Sequence, residues 1–170
     1  MPEHHFGLIS DTHGHLHPRV FELFEGVEAI YHAGDVCGED ILTELEAIAP
    51  THAVHGNCDF PSPRLPAERV ESAPFGTIAI THGHLVQEGT TQPERLARHF
   101  QHADPRIVLF GHSHVAYKRM FGDTWVINPG AAGKPRFRIV PSVMRLVWNS
   151  DNDTFAFHQT TLDWSQPRSF

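Results

Sequence analysis

Five short apolar, strand-like runs in this chain each end in side chains that ligate metals. Residues 6–10 lead into Asp11-Thr-His13, 29–34 into Asp35, 51–56 into Asn57-Cys-Asp59, 77–81 into His82-Gly-His84, and 106–111 into His112-Ser-His114. Open α/β sheets gather their working residues in the crevice outside the carboxyl ends of their strands, so five such endings can converge on one place. A chain built this way is constrained to a layered α/β fold with one shared rim, and that rim points to metal-centred hydrolytic chemistry.

At 170 residues the sequence suits one domain, residues 1–170, able to bury roughly two-thirds of its unfolded surface. Hydrophobic residues at 40% and charged ones at 19% are ordinary for a globular protein and exclude a disordered chain. A formal charge of −7 with no basic stripe argues against tracking a nucleic-acid backbone by counterion release. Histidine is the unusual count, 15 against two cysteines, and it raises the expectation of metal binding. Cys37 and Cys58 have neither CxxC spacing nor the number for a secreted disulfide framework, which fits a reducing cytoplasm. No export signal and no run of about 18 apolar residues is present, so no membrane association is expected. Self-association is left open.

Along the first half, strand and helix alternate: residues 17–25 and 39–48 carry helical apolar spacing between strands, giving βαβ units. The proline-rich segment 60–66 reads as a loop. Residues 68–72 and 77–81 form a hairpin, a helix covers about 93–102 with Pro93 in its first turn, and 106–110 is a strand. Two further hairpins join 115–121 to 124–128 and 142–149 to 154–161, and the tail after Asp163 reads as a loose end. A βαβ half followed by antiparallel strands predicts an α/β fold of two packed sheets flanked by helices, a four-layer α-β-β-α sandwich.

In an extended segment, residues i and i+2 point the same way, so Asp11 with His13, His82 with His84, and His112 with His114 each offer two side chains to one place. Paired metals in phosphoryl-transfer sites lie roughly 3.5–4 Å apart, a separation such side chains can straddle. A carboxylate has two oxygens and can bridge two ions, and Asp35, following Gly34, is placed for that role.

The order Asp-x-His, Gly-Asp, Gly-Asn, His, Gly-His-x-His resembles the calcineurin-like metallophosphoesterase superfamily, and within it the YfcE-type small phosphodiesterases of bacteria and archaea. The resemblance runs from Phe6 to about Phe137 and takes in Asn128-Pro-Gly130 and Gly133-Lys-Pro-Arg136. It implies the four-layer sandwich and two divalent ions, manganese first, with iron, nickel or zinc as alternatives admitted by oxygen and nitrogen ligands. Asp11, His13, Asp35 and His114 would hold one ion, and Asp35, Asn57, His82 and His112 the other, with a hydroxide between them as nucleophile. Two carboxylates against two divalent ions leave about +2, so an acidic protein can still hold a phosphate there. Asn57 and Arg136 are the candidate substrate contacts, Arg136 being either a plain surface charge or a phosphate contact through its planar fork.

Two departures qualify the resemblance. The superfamily's histidine after the asparagine, the usual leaving-group acid, is Cys58 here; His84 is the preferred substitute, followed by Asp59, while the Cys58 thiol itself is a poor one. The Asp-Arg-Gly of protein phosphatases is replaced by Gly34-Asp-Val-Cys-Gly38, which disfavours phosphoprotein substrates. The resulting expectation is a phosphodiesterase on small esters. The alternatives are a phosphomonoesterase or nucleotide pyrophosphatase with the same ligands, decided by loops 60–66 and 85–92, or a scaffold resembling the phosphoesterase-like retromer subunit. Elsewhere the plainer readings hold: His32, His52 and His55 as core or edge histidines, His15 and His17 as helix caps, Cys37 and Cys58 as small buried fillers, and Asn128-Pro-Gly130 as a tight turn.

Overall fold

The computed structural model describes residues 2–86, 92–136 and 138–165. Strand β1 (Glu3–Ile9) is followed by α1 (Arg19–Leu23), β2 (Ala29–His32), α2 (Glu39–Glu46) and β3 (Thr51–Ala53). Then come the hairpin β4 (Glu68–Ala73) and β5 (Gly76–Thr81), helix α3 (Pro93–His99) with a short 3-10 turn at Gln101–Ala103, and β6 (Ile107–Leu109). The hairpins β7 (Tyr117–Phe121) with β8 (Thr124–Asn128), and β9 (Ser142–Asn149) with β10 (Thr154–Thr161), complete the fold.

The strands form two five-stranded mixed sheets, ordered β10-β9-β1-β2-β3 and β4-β5-β6-β8-β7. Side-chain alternation assigns the faces. Phe6 and Leu8 of β1, Ile78 and Ile80 of β5, Ile107 and Leu109 of β6, and Leu146 of β9 meet between the sheets in one buried cluster. The intervening residues face outward: Ile9 and Ile30 pack under Val20, Phe24, Ile41, Leu42 and Leu45 of the α1 and α2 region. Ala79, Val108 and Val126 pack under Leu96 and Phe100 of the α3 region. Helices therefore cover both outer faces, as the predicted four-layer sandwich requires, although they are short. Among the described residues no helix is long and apolar enough to cross a membrane.

The expected division into a parallel first half and an antiparallel second half is corrected by the pairing. The β9-β10 hairpin returns to lie antiparallel beside β1 in the first sheet, while β5, β6 and β8 run parallel in the second. Helix 17–25 shrinks to five residues because the chain leaves α-helical geometry at Phe24 and turns at Gly26, φ +74°. Helix 93–102 breaks at Phe100 into the 3-10 turn. Up to Ser165 the tail is anchored: Leu162 is buried, the Asp163 carbonyl lies 2.9 Å from His17 Nε2, and Trp164 packs edge-on against His17. Residues 87–91 of the 85–92 loop, Phe137 and residues 166–170 lie outside the described residues.

Candidate metal centre

The strand ends of β1, β2, β3, β5 and β6 come together where the two sheets meet, and seven of the side chains singled out in the sequence gather there. His13 Nε2 lies 3.7 Å from Asp11 Oδ1, 3.6 Å from Asp35 Oδ2 and 3.2 Å from His114 Nε2, while His114 Nε2 is 3.2 Å from Asp11 Oδ1. On the other side, His82 Nε2 lies 3.4 Å from the same Asp35 Oδ2, 3.0 Å from Asn57 Oδ1 and 3.2 Å from His112 Nδ1, which is itself 3.1 Å from Asn57 Oδ1. Two sets of ligand atoms thus share one carboxylate oxygen.

These side chains do not converge by strand alternation. β1 ends at Ile9, and Asp11 and His13 stand at φ 52° and 47°; Asp35 is at 53°, His112 at 70° and His114 at 64°. The expectation of extended i, i+2 pairs is therefore wrong for Asp11/His13 and His112/His114: left-handed turns bring them together. Each such residue costs roughly 1–2 kcal/mol locally, so the surrounding contacts must hold it. They are visible: Asp11 N donates to Gly34 O, His13 N to Asp35 O and Gly14 N to Val36 O, lacing the first two ligand loops together. Gly34 (φ +98°) sits so close that a Cβ would meet His82 Nδ1 at 2.8 Å, and a Cβ on Gly111 would strike the Ser10 hydroxyl.

The polar wiring leaves acceptors pointing inward. Asp11 Oδ2 accepts from the Ser10 hydroxyl at 2.6 Å and His112 N–H at 3.2 Å, whereas Asp11 Oδ1, fully buried, has no hydrogen-bond partner among the described residues. Asp35 Oδ1 accepts Cys58 N–H at 2.9 Å, leaving Oδ2 for the centre. His82 Nδ1 donates to Ala33 O at 2.8 Å, which turns Nε2 toward Asn57 Oδ1 and Asp35. A buried carboxylate oxygen with imidazole nitrogens around it, His114 Nε2 nearest at 3.2 Å, but no hydrogen bond of its own is poised to take a cation into the space they share. The donor set of two carboxylates, four imidazoles and one amide suits divalent transition ions. Burial would raise the Asp11 carboxyl, but the imidazoles of His114, His13 and His82 and the Ser10 hydroxyl hold it well below the usual carboxylate range. Burial opposes charge on His82, yet Asp35 and Asp11 raise its pKa overall.

The remaining candidates divide. His84 lies beside the cluster, its ring 5.3 Å from that of His82, with Nδ1 buried and lacking a hydrogen-bond partner among the described residues. Burial and the neighbouring His82 and His55 lower its pKa. Asp59 instead accepts three backbone N–H groups, Val36 at 3.0 Å, Cys37 at 2.8 Å and Gly56 at 2.9 Å, and so ties the Asp35 loop to the Asn57 loop. The cysteines are not buried fillers: Cys58 is exposed and Cys37 half-buried, because both sit on loops above the strand ends. Burial with Asp59 and Asp35 pushes the Cys37 thiol up to about 12, and partial burial with Asp35 raises Cys58 too. Arg136 is exposed and lines, with Lys134, a recess that includes Asp11, His13 and His114.

Among the plainer readings, His32 is fully buried, His52 pairs with Glu71 at 2.9 Å, and His17 Nδ1 accepts the N–H of Arg19, capping α1. Asn128 is more than turn chemistry. Fully buried at the end of β8, it donates from Nδ2 to Gly111 O at 3.2 Å and Ser113 Oγ at 3.0 Å, gripping the loop that carries His112 and His114. A further strand ending in a polar residue before Pro-Gly was the signal available for it.

Comparison with known proteins agrees with this geometry. Residues 5–151 match the calcineurin-like phosphoesterase superfamily domain. A probable metallophosphoesterase of Methanothermobacter thermautotrophicus is 39% identical over 149 residues, covering 82% of this chain and 83% of that protein. In fold, the chain is similar to an archaeal phosphodiesterase (TM-score 0.73, 23% identity, 93% of this chain and 99% of the other). It is also similar to Vacuolar Protein Sorting 29 from Cryptosporidium parvum (TM-score 0.76, 20% identity, 95% and 99%). On the strength of the domain match and the archaeal relative, this chain belongs to the calcineurin-like phosphoesterase superfamily.

Proposed function

We propose that this protein is a binuclear-metal phosphodiesterase acting on small phosphodiesters. The observation that carries the reading is the pair of ligand sets sharing Asp35 Oδ2, with Asp11 Oδ1 buried and unpartnered beside it. Asp11, His13, Asp35 and His114 would hold one divalent ion, and Asp35, Asn57, His82 and His112 the second, with manganese the first expectation and iron, nickel or zinc the alternatives. When bound, such ions lower the pKa of a water to generate the nucleophile and neutralise charge on the phosphoryl oxygens.

The chain's own side chains do the rest. Asp35 accepts the Cys58 N–H and Asp59 ties its loop in place, so the shared carboxylate is held before any ligand arrives. Asn57 borders the open side, and Lys134 and Arg136 flank the recess beside Asp11, where they can take phosphate oxygens. His84 is the proton donor to the leaving group: its ring stands 5.3 Å from that of His82 at the centre, whereas both oxygens of Asp59 are occupied and burial with Asp35 makes the Cys58 thiol a weaker acid. The two unpaired thiols suit a reducing, cytoplasmic setting.

The scaffold alternative draws on the likeness to Vacuolar Protein Sorting 29, but that is a likeness of fold and accommodates either reading. Hydrolysis of nitrophenyl diester, monoester and pyrophosphate substrates, measured on protein stripped of metal and reloaded with each cation, tests the proposal. The expected result is metal-dependent cleavage that favours the diester and disappears in Asp11→Asn. Preference for the monoester or pyrophosphate would move the activity to those substrates. No cleavage with any cation would leave the scaffold reading standing.

A further inference from the structure

His13 has two faces, and only one is engaged by the carboxylates. Its Nε2 is turned toward Asp11, Asp35 and His114, while its Nδ1 lies 3.9 Å from Cys37 Sγ. Cys58 Sγ completes a triangle: one ligand atom from each of His13, Cys37 and Cys58 lies within 4.8 Å of the others. With metal–sulfur bonds of about 2.3 Å and metal–nitrogen bonds of about 2.0–2.1 Å, atoms around one cation stand roughly 3.6–4 Å apart, so small side-chain rotations close the triangle. The geometry points to an alternative, thiophilic cation site formed by His13 Nδ1, Cys37 Sγ and Cys58 Sγ, which shares His13 with the proposed phosphoesterase centre.

The backbone prepares this site. Cys37 N–H donates to Asp59 Oδ1 at 2.8 Å and Cys58 N–H donates to Asp35 Oδ1 at 2.9 Å, so both sulfurs are hung from loops that carboxylates already fix. Cys37 is held in the left-handed region at φ 60°, which a non-glycine residue adopts only when its surroundings impose it. Exposure of Cys58 gives an incoming cation access and leaves a fourth position open. The carboxylates of Asp35 and Asp59 beside the thiols attract a cation, while the same charges and burial oppose loss of the thiol protons, so the cation must itself displace them. Two sulfurs and one imidazole select soft or borderline ions such as zinc, cadmium or copper(I), whereas the oxygen-rich neighbouring set accepts harder ones. On binding, each thiol releases one proton and His13 offers the Nδ1 lone pair. A neutral imidazole has a single lone pair, so a thiophilic cation competes for His13 with the carboxylate side.

The test uses the reduced full-length protein in excess manganese, titrated with cadmium(II). Cadmium–thiolate charge-transfer absorption and the number of thiols reactive toward an aromatic disulfide reagent are followed together. The expected outcome is an absorption band saturating at one cadmium per chain, with both cysteines going from reactive to protected. Cys37→Ser and Cys58→Ser should each abolish that stoichiometric band, and the exposed Cys58 substitution gives a reading even if the half-buried one perturbs folding. Absence of a band, thiols still reactive at saturating cadmium, or saturation at half a cadmium per chain through bridging of two molecules would each overturn the site. None of these readouts depends on phosphoester hydrolysis.

Discussion

His32 should make the stability of this protein fall as pH drops below neutrality, and the size of the effect can be worked from its surroundings. The ring is fully buried, with Nδ1 accepting the Gly34 N–H at 3.1 Å and Nε2 3.1 Å from the Thr12 hydroxyl oxygen. Because the Thr12 hydroxyl donates its own hydrogen to Val36 O at 3.0 Å, its oxygen can only accept from Nε2–H. Both ring nitrogens are therefore satisfied in one neutral tautomer, and protonation at Nδ1 would set two N–H groups against each other. Burial drives the pKa down from 6.5 to about 4, more strongly than Asp11 and Asp59 raise it.

Since the folded value lies below the unfolded one, the unfolded chain takes up the proton first. The contribution is fully present above pH 6.5 and is lost as pH falls toward 4. A difference of 6.5 − 4 = 2.5 units corresponds to about 3 kcal/mol at the acid limit, of which about 2 kcal/mol is gone by pH 5. Urea unfolding of metal-free protein at a series of pH values between 7.5 and 5, on wild type and His32→Gln, isolates this residue from the other histidines. The variant is expected to start less stable but to lose about 2 kcal/mol less over that range, or roughly 4–8 °C less in Tm. Parallel pH profiles for the two proteins would refute the reasoning.

Two further predictions concern the loops around the centre. Asp35→Ala should lose both ions and His114→Ala mainly one, because Asp35 Oδ2 lies 3.6 Å from His13 Nε2 in one ligand set and 3.4 Å from His82 Nε2 in the other; metal counting by mass spectrometry decides it, and two retained ions in the Asp35 variant would contradict the sharing. Asp59→Ala should lower stability by about 2 kcal/mol or more, since three backbone N–H groups lose their acceptor, and should weaken metal binding through the displaced Asp35 loop; unfolding and metal titration of the same variant check both halves.

Strand ends and ligand types were legible in the sequence because apolar runs punctuated by Asp, Asn and His are local patterns. The turns that make those ligands converge were not. Asp11, His13, Asp35, His112 and His114 all adopt positive φ, and only contacts such as Asp11 N to Gly34 O, from another strand's loop, make that conformation tolerable. Sheet membership of β9 was hidden for the same reason: its partner β1 lies more than a hundred residues away, and an alternating strand does not name its neighbour. Asp59 looked like a possible acid because its type and position suited one, yet its environment is set by three amides from two loops. The anchored tail likewise depends on Trp164 finding His17, a pairing that no periodicity encodes.

The same nonlocal contacts explain why so much strain can be concentrated at one rim. Five candidate ligand residues at positive φ, and acceptors such as Asp11 Oδ1, Asn57 Oδ1 and Asp35 Oδ2 gathered around the single His82 Nε2, all oppose folding of the bare chain. The two sheets, the Asp59 clamp and the Asn128 grip hold them nonetheless. Binding of divalent ions would satisfy the inward acceptors together. Metal affinity and fold stability are then two readings of one interaction, and a substitution that relaxes the strained turns would stabilise the metal-free protein while weakening its hold on metal.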